Sequence, residues 1–231
     1  NNFAKYIGTD YCVGVNSGTD ALKLALKCLN LNTGDEVIVQ NNTFVGSILG
    51  ASELDLKIKL VDNDPKTYMV DIEDLERKIT SDTKVIIIVH LYGICPDMDR
   101  IMEIKNKYNL FLIEDCAQAH GCLYKKKRVG SFGELSCFSF YPGKNLGTGG
   151  DGGCVNTNSR EFYNKLEYLR NLGSVVKYQH DVKGYNSRLD TLQSYILNEK
   201  LNYLDTNNSK RRKIAEMYCD FLREEKNLQL P

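Results

Sequence analysis

The order in which apolar patterns follow one another places the strongest restriction on the fold of this chain. Residues 84–90 (KVIIIVH) form a continuous β-branched run, which is typical of a strand covered on both faces. Residues 71–79 before this run and 98–108 after it carry apolar side chains at helical spacing. Strands that alternate with helices in this way predict an α/β fold with a mostly parallel sheet and helices on both faces.

The same alternation extends over most of the chain. Further strands are predicted at 12–15, 36–40, 57–61, 111–114, 134–140 and 153–157. Further helices are predicted at 20–29 and 161–172, and one long helical stretch at 190–227. Past residue 158 the strands stop, and the chain ends on a charged amphipathic helix.

The charge balance and the apolar runs argue against two classes of protein. Lys+Arg and Asp+Glu both number 30, so the net charge is zero, unlike that of proteins that bind nucleic acid or anionic membranes. No apolar stretch approaches the roughly 20 residues that span a bilayer. The first residues also lack the basic segment and apolar core of a secretory signal. We therefore expect a cytoplasmic protein.

Eight cysteines invite a disulfide or zinc interpretation, but their spacing does not support one. No pair has C-x-x-C spacing, and only three histidines are present to complete a metal site. Most of the cysteines lie in apolar runs, where a free thiol behaves as a small hydrophobic side chain. We expect reduced, buried thiols and no metal site.

A single lysine in a glycine-rich loop is the strongest chemical signal. Lys144 lies in residues 136–153 (SCFSFYPGKNLGTGGDGG), where the glycines let the backbone approach another group closely. An amine that bonds an aldehyde must first lose its proton, which partial desolvation favours. A P-loop would place its glycines before the lysine and Ser or Thr after it, whereas Asn145 follows here. The segment therefore favours Schiff-base chemistry over a nucleotide loop.

An acidic segment, residues 114–120 (EDCAQAH), follows the apolar residues of the strand at 111–114. An acidic side chain at the carboxyl end of a parallel strand points into the crevice where such sheets bind ligands. Beside a pyridine cofactor, the carboxylate of Asp115 would keep the ring nitrogen protonated. An aspartate after a strand is also a common helix N-cap, so both interpretations stay open.

Residues 16–20 (NSGTD) lie at a predicted strand-to-helix turn. Backbone N–H groups and hydroxyls at the N-terminus of a helix form an anion site suited to a phosphate monoester. The alternative is an ordinary capped turn, which this segment taken alone favours.

Taken together and in this order, these segments resemble the DegT/DnrJ/EryC1/StrS family of sugar aminotransferases. The resemblance covers nearly the whole chain, through the segments NSGTDAL, NNTFV, HLYG, EDCAQAHG, SFYPGKNLG, GDGG and GYNSRLDTLQ. The lysine loop and the EDCAQA segment are specific to the family, and the others support them. The resemblance implies pyridoxal 5'-phosphate (PLP) as the cofactor and the large domain of an aspartate aminotransferase-like (fold type I) enzyme.

The resemblance also implies roles around the cofactor ring. Lys144 matches the lysine that bonds the cofactor and later moves the proton, and Asp115 matches the carboxylate that pairs with the pyridinium nitrogen. Gln118 matches the glutamine near the phenolic oxygen, and Phe44 the aromatic side chain that stacks on the ring. A family variant with histidine at the lysine position deoxygenates its sugar, so Lys144 implies transamination instead.

Contacts to the cofactor phosphate are implied by the same resemblance. Gly18, Thr19 and Ser139 match such contacts, and Ser17 lies beside them. Asn186, in the segment GYNSR, matches a phosphate contact that reaches in from the other subunit. The resemblance therefore implies a homodimer with shared active sites.

Members of the family have residues ahead of Asn1 and a smaller C-terminal domain beyond Pro231. We therefore expect residues 1–205 to form the large PLP-binding domain without its N-terminal part. Residues 206–231 are expected to be a linking helix toward a small C-terminal domain that is largely absent.

The activity implied is amino transfer from glutamate to a keto sugar linked to a nucleotide. Residues 180–193 (HDVKGYNSRLDTLQ) are most similar to enzymes that act on dTDP-3-keto-6-deoxyhexoses. Enzymes that act on the 4-keto position are one alternative, and a truncated PLP-binding or regulatory protein without catalysis is another. DNA binding is disfavoured by the zero net charge and by the lack of a basic recognition helix.

Overall fold

The computed structural model describes residues 2–176, 178–225, 227, 228 and 230. Its strands are β1 (Tyr11–Val15), β2 (Glu36–Gln40), β3 (Lys57–Val61), β4 (Thr83–Val89), β5 (Phe111–Asp115), β6 (Leu123–Tyr124), β7 (Lys127–Arg128), β8 (Leu135–Ser139) and β9 (Gly153–Thr157). Its α-helices are α1 (Asn2–Ile7), α2 (Gly18–Cys28), α3 (Gly46–Glu53), α4 (Ile72–Lys78), α5 (Met98–Tyr108), α6 (Arg160–Leu169), α7 (Thr191–Leu201) and α8 (Leu204–Leu222).

A seven-stranded sheet organises the fold, with the strand order β1-β9-β8-β5-β4-β2-β3. The pairs β2–β3, β2–β4, β4–β5 and β5–β8 are parallel, whereas β9 runs antiparallel to both of its neighbours. Because β9 runs antiparallel to both β1 and β8, these two strands point in the same direction. The carboxyl ends of every strand except β9 therefore meet at one edge of the sheet, which is where parallel α/β sheets bind ligands.

The sheet is covered on both faces, and β4 shows why its sequence lacks alternation. The side chains of Val85, Ile87 and Val89 pack with α2 and α6 on one face. Ile86 and Ile88 pack with α4 and α5 on the other face. Every side chain from Val85 to Val89 is thus buried against a helix layer, and the predicted mostly parallel α/β fold is confirmed.

The structure differs from the sequence-based elements in three places, the first of which is the helix α1, which was not predicted. The helix α3 was not predicted, since its sequence GSILGASE contains two glycines, which have low helix propensity. The predicted long helical stretch at 190–227 is helical over most of its length, but it is interrupted at Asn202 and Tyr203 between α7 and α8. Leu197 of α7 and Leu204 of α8 belong to the same apolar cluster.

The C-terminal segment is only partly described. The predicted division at residue 205 falls at the start of α8 and stays a prediction. Residues 226, 229 and 231 of the predicted linking segment lie outside the described residues. Among the residues that the structure describes, no helix has both the length and the apolar character of a membrane span.

None of the eight cysteines, all of which lie in the described part of the chain, forms a disulfide. Four of them are buried and four are half-buried, so the expectation of buried thiols holds for half of the set. Burial raises the pKa of the buried Cys137 thiol well above its usual range, which keeps this thiol protonated and unreactive.

Candidate active site

A cavity of about 430 Å³ opens at the carboxyl edge of the sheet. It lies where β1, β4, β5 and β8 end and where α2 and α3 begin. All but one of the residues predicted for the site line this cavity: Ser17, Gly18, Thr19, Phe44, Asp115, Gln118, Ser139 and Lys144. The fold therefore brings together motifs that are spread over more than half of the sequence.

Asp115 ends β5 and forms the floor of the cavity, with only 4% of its surface exposed. Its Oδ2 accepts a hydrogen bond from the Ser47 hydroxyl at 2.7 Å, and its Oδ1 accepts one from the backbone N–H of Ala117 at 3.1 Å. Burial raises the pKa of the Asp115 carboxyl, although these two hydrogen bonds and the charge of Lys144 oppose the rise. A positively charged donor in the cavity would stabilise the ionised form.

The helix N-cap interpretation of Asp115 is wrong. The residues after β5 form turns, and the hydrogen bond to Ala117 spans only two positions. Such a bond closes a local turn and leaves the carboxylate facing the cavity.

The neighbouring Glu114 points away from the cavity and has a structural environment. Its Oε2 accepts hydrogen bonds from His90 at 3.0 Å and from the N–H of Gly130 at 2.7 Å. Its Oε1 accepts the N–H groups of Phe132 and Gly133 at 2.7 and 2.8 Å. Burial opposes ionisation, but these bonds outweigh it and lower the pKa of Glu114. The carboxylate therefore anchors the loop that precedes β8.

Among the described residues, one group has the composition of a metal site. Ligand atoms of His90, Glu114 and Cys116 lie within 4.8 Å of one another, and all three residues are buried. The four hydrogen bonds to Glu114 already occupy both of its oxygens, and burial raises the pKa of Cys116 well above its usual range. A metal would need a deprotonated thiol and a free carboxylate, so this donor set does not fit one.

The N-terminus of α2 faces the cavity, and residues 16–20 have the features both of a capped turn and of an anion site. Ser17 is the N-cap, and its hydroxyl accepts a hydrogen bond from the N–H of Asp20 at 3.1 Å. Gly18 and Thr19 begin the helix beside Ser139 at the end of β8. The segment is a capped turn and also presents free N–H groups and hydroxyls to the cavity, as an anion site does.

Glycine is required at residue 18 by the distance to β8. A Cβ atom built on Gly18 would lie 2.6 Å from the Cβ of Ser139, closer than side chains approach one another. Gly153 at the start of β9 has the same function against the N-cap of α2, because its Cβ would lie 2.4 Å from the carbonyl oxygen of Ser17. The glycines thus bring segments of the chain into close contact around the cavity.

Lys144 lies half-buried in the loop between β8 and β9, and its side chain lines the cavity. Its N–H donates to the carbonyl of Tyr141 at 2.9 Å, which closes a tight turn. Thr148 donates its N–H to the carbonyl of Phe140 at 2.8 Å, and this bond closes the loop at its base. The lysine is therefore carried by a hydrogen-bonded loop on the rigid end of a central strand.

Side chains from α7 and α8 also bind this loop. Asn145 donates its side-chain N–H to the amide oxygen of Asn208 at 3.0 Å, and Gly149 donates its N–H to the amide oxygen of Gln193 at 2.9 Å. The ammonium group of Lys200 binds the carbonyl of Gly147. The position of Lys144 thus depends on two helices that follow it in the chain.

Gln118 and Phe44 both line the cavity. The amide oxygen of Gln118 accepts the N–H of Tyr92 at 2.8 Å, so the free NH₂ group of Gln118 is left to donate elsewhere. Tyr92 has a φ of 58°, a left-handed conformation that directs this N–H toward Gln118. The ring of Phe44 is 68% exposed, which leaves an aromatic face open at the cavity.

Asn186 is the predicted site residue that lies outside the cavity. It is exposed, forms an isolated β-bridge with Asn171 and accepts a hydrogen bond from Arg188 at 3.0 Å. Its predicted contact with the cofactor of another subunit stays a prediction.

The sequence analysis missed several polar residues that line the cavity. These are Thr43, Ser47, Tyr141 and Asp151. Thr43, Tyr141 and Asp151 lie within segments that carry the family resemblance, so their place in these segments was an available signal. Ser47 had no such signal, because its partner Asp115 is 68 residues away in the sequence.

Comparison with known proteins identifies similar sequences and structures. The chain is 52% identical over 221 residues to the dTDP-3-amino-3,6-dideoxy-alpha-D-galactopyranose transaminase of Aneurinibacillus thermoaerophilus, covering 96% of this chain and 61% of that protein. The crystal structure of DesV from Streptomyces venezuelae superposes with a TM-score of 0.94 at 44% identity, covering 96% of this chain and 60% of DesV. NtdA from Bacillus subtilis, with bound cofactor PMP, superposes with a TM-score of 0.91 at 35% identity, covering 97% of this chain and 52% of NtdA.

The chain spans about three fifths of the length of the curated relative it matches. Within that span the likeness is continuous, and the sequence profile of one family matches residues 1–231. The same family was predicted from the lysine loop and the acidic segment. The chain belongs to the DegT/DnrJ/EryC1/StrS aminotransferase family.

Proposed function

We propose that this chain binds pyridoxal 5'-phosphate in the cavity. We further propose that the whole protein transfers an amino group from glutamate to a keto sugar linked to a nucleotide, a dTDP-3-keto-6-deoxyhexose. The observation that carries the proposal is the placement of Lys144 and Asp115 on one cavity with the N-terminus of α2. The name of the Aneurinibacillus relative supports both the reaction and a 3-amino dTDP-sugar.

The residues of the cavity fit the chemical groups of this cofactor. Asp115 is a buried carboxylate whose hydrogen bonds from the described residues come from two neutral donors, Ser47 and Ala117, which suits pairing with a protonated ring nitrogen. Gly18, Thr19 and Ser139 form an anion site for the phosphate, and Lys144 supplies the amine for the aldehyde. The volume of about 430 Å³ lies within the range of small-molecule sites.

The protein would divide the remaining tasks among its side chains. The bound cofactor supplies an electron sink for the carbanion that forms on the substrate. Asp115 holds a proton on the ring nitrogen, and the free NH₂ group of Gln118 donates to the phenolic oxygen. Phe44 covers one face of the ring and excludes water from it. Lys144 moves the proton to and from the reacting carbon as a general base and acid.

We also propose a cytoplasmic homodimer with shared active sites. Asn186 is exposed and outside the cavity of its own chain, which is the placement expected of a residue that serves another subunit. Sedimentation of the wild type and of Asn186→Ala, with and without PLP, tests this proposal. We expect a dimer in both, with weaker PLP binding in the variant.

The amino-transfer proposal predicts two half-reactions that can be separated. Protein loaded with PLP and mixed with glutamate should yield pyridoxamine phosphate and 2-oxoglutarate in equal amounts, as chromatography would quantify. Addition of the dTDP-3-keto sugar should then regenerate PLP, because the two substrates react in alternation. Cofactor bound to Lys144 that glutamate does not convert would contradict amino transfer and favour a PLP-binding protein without catalysis. Conversion of the 4-keto sugar alone would correct the regiochemistry.

The Gly18→Ala variant tests the anion site. The added Cβ at residue 18 would lie 2.6 Å from the Cβ of Ser139, so it would displace Ser139. We expect a loss of stability of about 1–3 kcal/mol from overpacking and PLP binding weaker by roughly tenfold. Fluorescence titration with PLP and urea unfolding measure the two effects.

Gly149→Ala is the matched control, because its Cβ would meet only the side chain of Gln193, at 3.7 Å. Equal PLP affinity of Gly18→Ala and the wild type would place the phosphate elsewhere.

A further inference from the structure

A hydrogen-bonded chain of two hydroxyl groups ends on Asp115. The Oγ of Ser47 lies 2.7 Å from Oδ2 of Asp115 and 2.8 Å from Oγ1 of Thr43. Ser47 is buried, with 1% of its surface exposed, and it belongs to α3 rather than to the sheet. The contact therefore joins the floor of the cavity to a helix that precedes it by more than 60 residues.

The direction of the protons in this chain follows from the chemistry of the groups. An ionised carboxylate can only accept, so the single proton of the Ser47 hydroxyl points to Asp115. Ser47 then has only lone pairs to offer to Thr43, and the Thr43 hydroxyl must be the donor. Each bond in such a chain polarises the next, which strengthens the final bond to the carboxylate.

The packing of α3 fixes the position of Ser47. A Cβ built on Gly50 would lie 2.7 Å from the Cα of Lys23, so α3 and α2 are in backbone contact there. A Cβ on Gly46 would lie 3.0 Å from the Thr19 hydroxyl and from the Phe44 ring. The helix that carries Ser47 thus contacts both the anion site and the aromatic wall, and it has no room to shift toward either.

We propose that Ser47 is a positioning residue for Asp115. Its hydroxyl, oriented by Thr43, holds the carboxylate ionised and in one orientation at the floor of the cavity. The inference rests on the proposed function in one respect, which is that Asp115 is the partner of the ring nitrogen of PLP. Ser47 itself touches Asp115 and acts through it.

The groups around Asp115 show why one neutral hydroxyl matters there. Burial raises the pKa of Asp115, and the hydrogen bond from Ser47 is the largest effect that opposes this rise. His90 on the neighbouring strand and Lys144 in its loop also favour the ionised form by their charges. Cys116 and Cys137 face Asp115 as protonated thiols and add no charge.

The first test uses the protein without cofactor. Carbon-13 NMR of protein labelled at the aspartate carboxyl groups reports the titration of Asp115, whose signal is assigned by its loss in Asp115→Asn. Removal of the donor in Ser47→Ala should raise the pKa of Asp115, because the ionised form loses its strongest hydrogen bond. Thr43→Val should change it in the same direction but by less. An unchanged titration in Ser47→Ala would overturn the inference.

The second test uses protein loaded with PLP that carries nitrogen-15 in its ring. In Ser47→Ala the nitrogen signal should move toward that of the unprotonated ring at a lower pH than in the wild type. The half-reaction with glutamate should slow by roughly tenfold or more with little change in the apparent affinity for glutamate, as expected for loss of one hydrogen bond to a charged group. A loss confined to glutamate affinity would contradict a positioning role.

Two further variants separate positioning from general damage to α3. Ser52→Ala removes an exposed serine hydroxyl from the same helix and should behave as the wild type in both tests. Ser47→Thr keeps the hydroxyl and should restore the wild-type titration of Asp115. If the wild type bound no PLP, the proposed function would fail, whereas the titration without cofactor would still decide on Ser47.

Discussion

The Lys144→Ala variant should lose the covalent bond to PLP and the half-reaction with glutamate. The side chain supplies both the amine that bonds the cofactor and the group that moves the proton, and loss of general acid–base catalysis alone costs roughly 10²–10⁴-fold in rate. The visible absorbance band should disappear, and borohydride reduction should no longer add the mass of the cofactor to the protein.

The same variant should still bind PLP without a covalent bond. The anion site, Asp115 and Phe44 remain in place, and none of them depends on the lysine side chain for its own contacts. Equilibrium dialysis would measure this binding. Lys126→Ala, in the exposed hairpin of β6 and β7, is the matched control and should behave as the wild type. A covalent adduct retained in Lys144→Ala would assign the attachment to another lysine.

The Asp115→Asn variant should have opposite effects on catalysis and on stability. Asparagine keeps the shape but cannot stabilise a positive charge on the ring nitrogen, and one partner lost from a buried charge pair costs about 3–5 kcal/mol, or roughly 10²–10⁴-fold in rate. Without cofactor the variant should be more stable than the wild type at neutral pH, because burial disfavours the Asp115 charge.

The sign of the stability effect follows from the raised pKa of Asp115. Between the ordinary and the raised pKa, the folded protein binds the proton that the unfolded chain has lost, so stability falls as the pH rises through this window. Asparagine does not titrate, so the variant should lack this dependence of stability on pH. Urea unfolding at neutral and at acidic pH measures the dependence in both proteins. A variant that is less stable than the wild type at neutral pH would show that the carboxylate supports the fold.

Glu114→Gln provides the contrast at the neighbouring position. Glu114 accepts two backbone N–H groups on Oε1 and one more, together with His90, on Oε2. In the variant, the NH₂ group of glutamine would replace one of these two oxygens and would face N–H donors that it cannot accept. We therefore expect the variant to lose about 1–3 kcal/mol of stability. Two adjacent acidic residues should therefore respond in opposite directions, which the sequence does not reveal.

Local patterns in the sequence were sufficient to predict the fold class and most of the candidate site. Periodicity reports which side chains are buried, so the β-branched run of β4 and the amphipathic helices predicted a sheet covered on both faces. The predicted site residues follow the ends of strands, and parallel strands bring these ends to one edge. This geometry is why motifs far apart in the chain could be expected to meet.

Sequence patterns could not predict features that depend on contacts between distant segments. The helix α3 contains glycines that its own sequence disfavours, and it forms because Gly50 lets it pack against the backbone of α2. The break between α7 and α8 separates two helices that both pack on one core cluster, through Leu197 and Leu204. Both depend on packing, and packing has no short-range pattern.

The sequence by itself determined which side chains the candidate site contains, since Lys144, Asp115 and the glycine-rich loop are recognisable without coordinates. Only the tertiary structure decided what surrounds these groups. In the folded chain Ser47 donates a hydrogen bond to Asp115, 68 residues away in the sequence, and Asn186 lies outside the cavity of its own chain. The reason is physical: the identity of a side chain is written locally, whereas burial and hydrogen-bond partners, which set its charge and orientation, arise only when distant segments pack together.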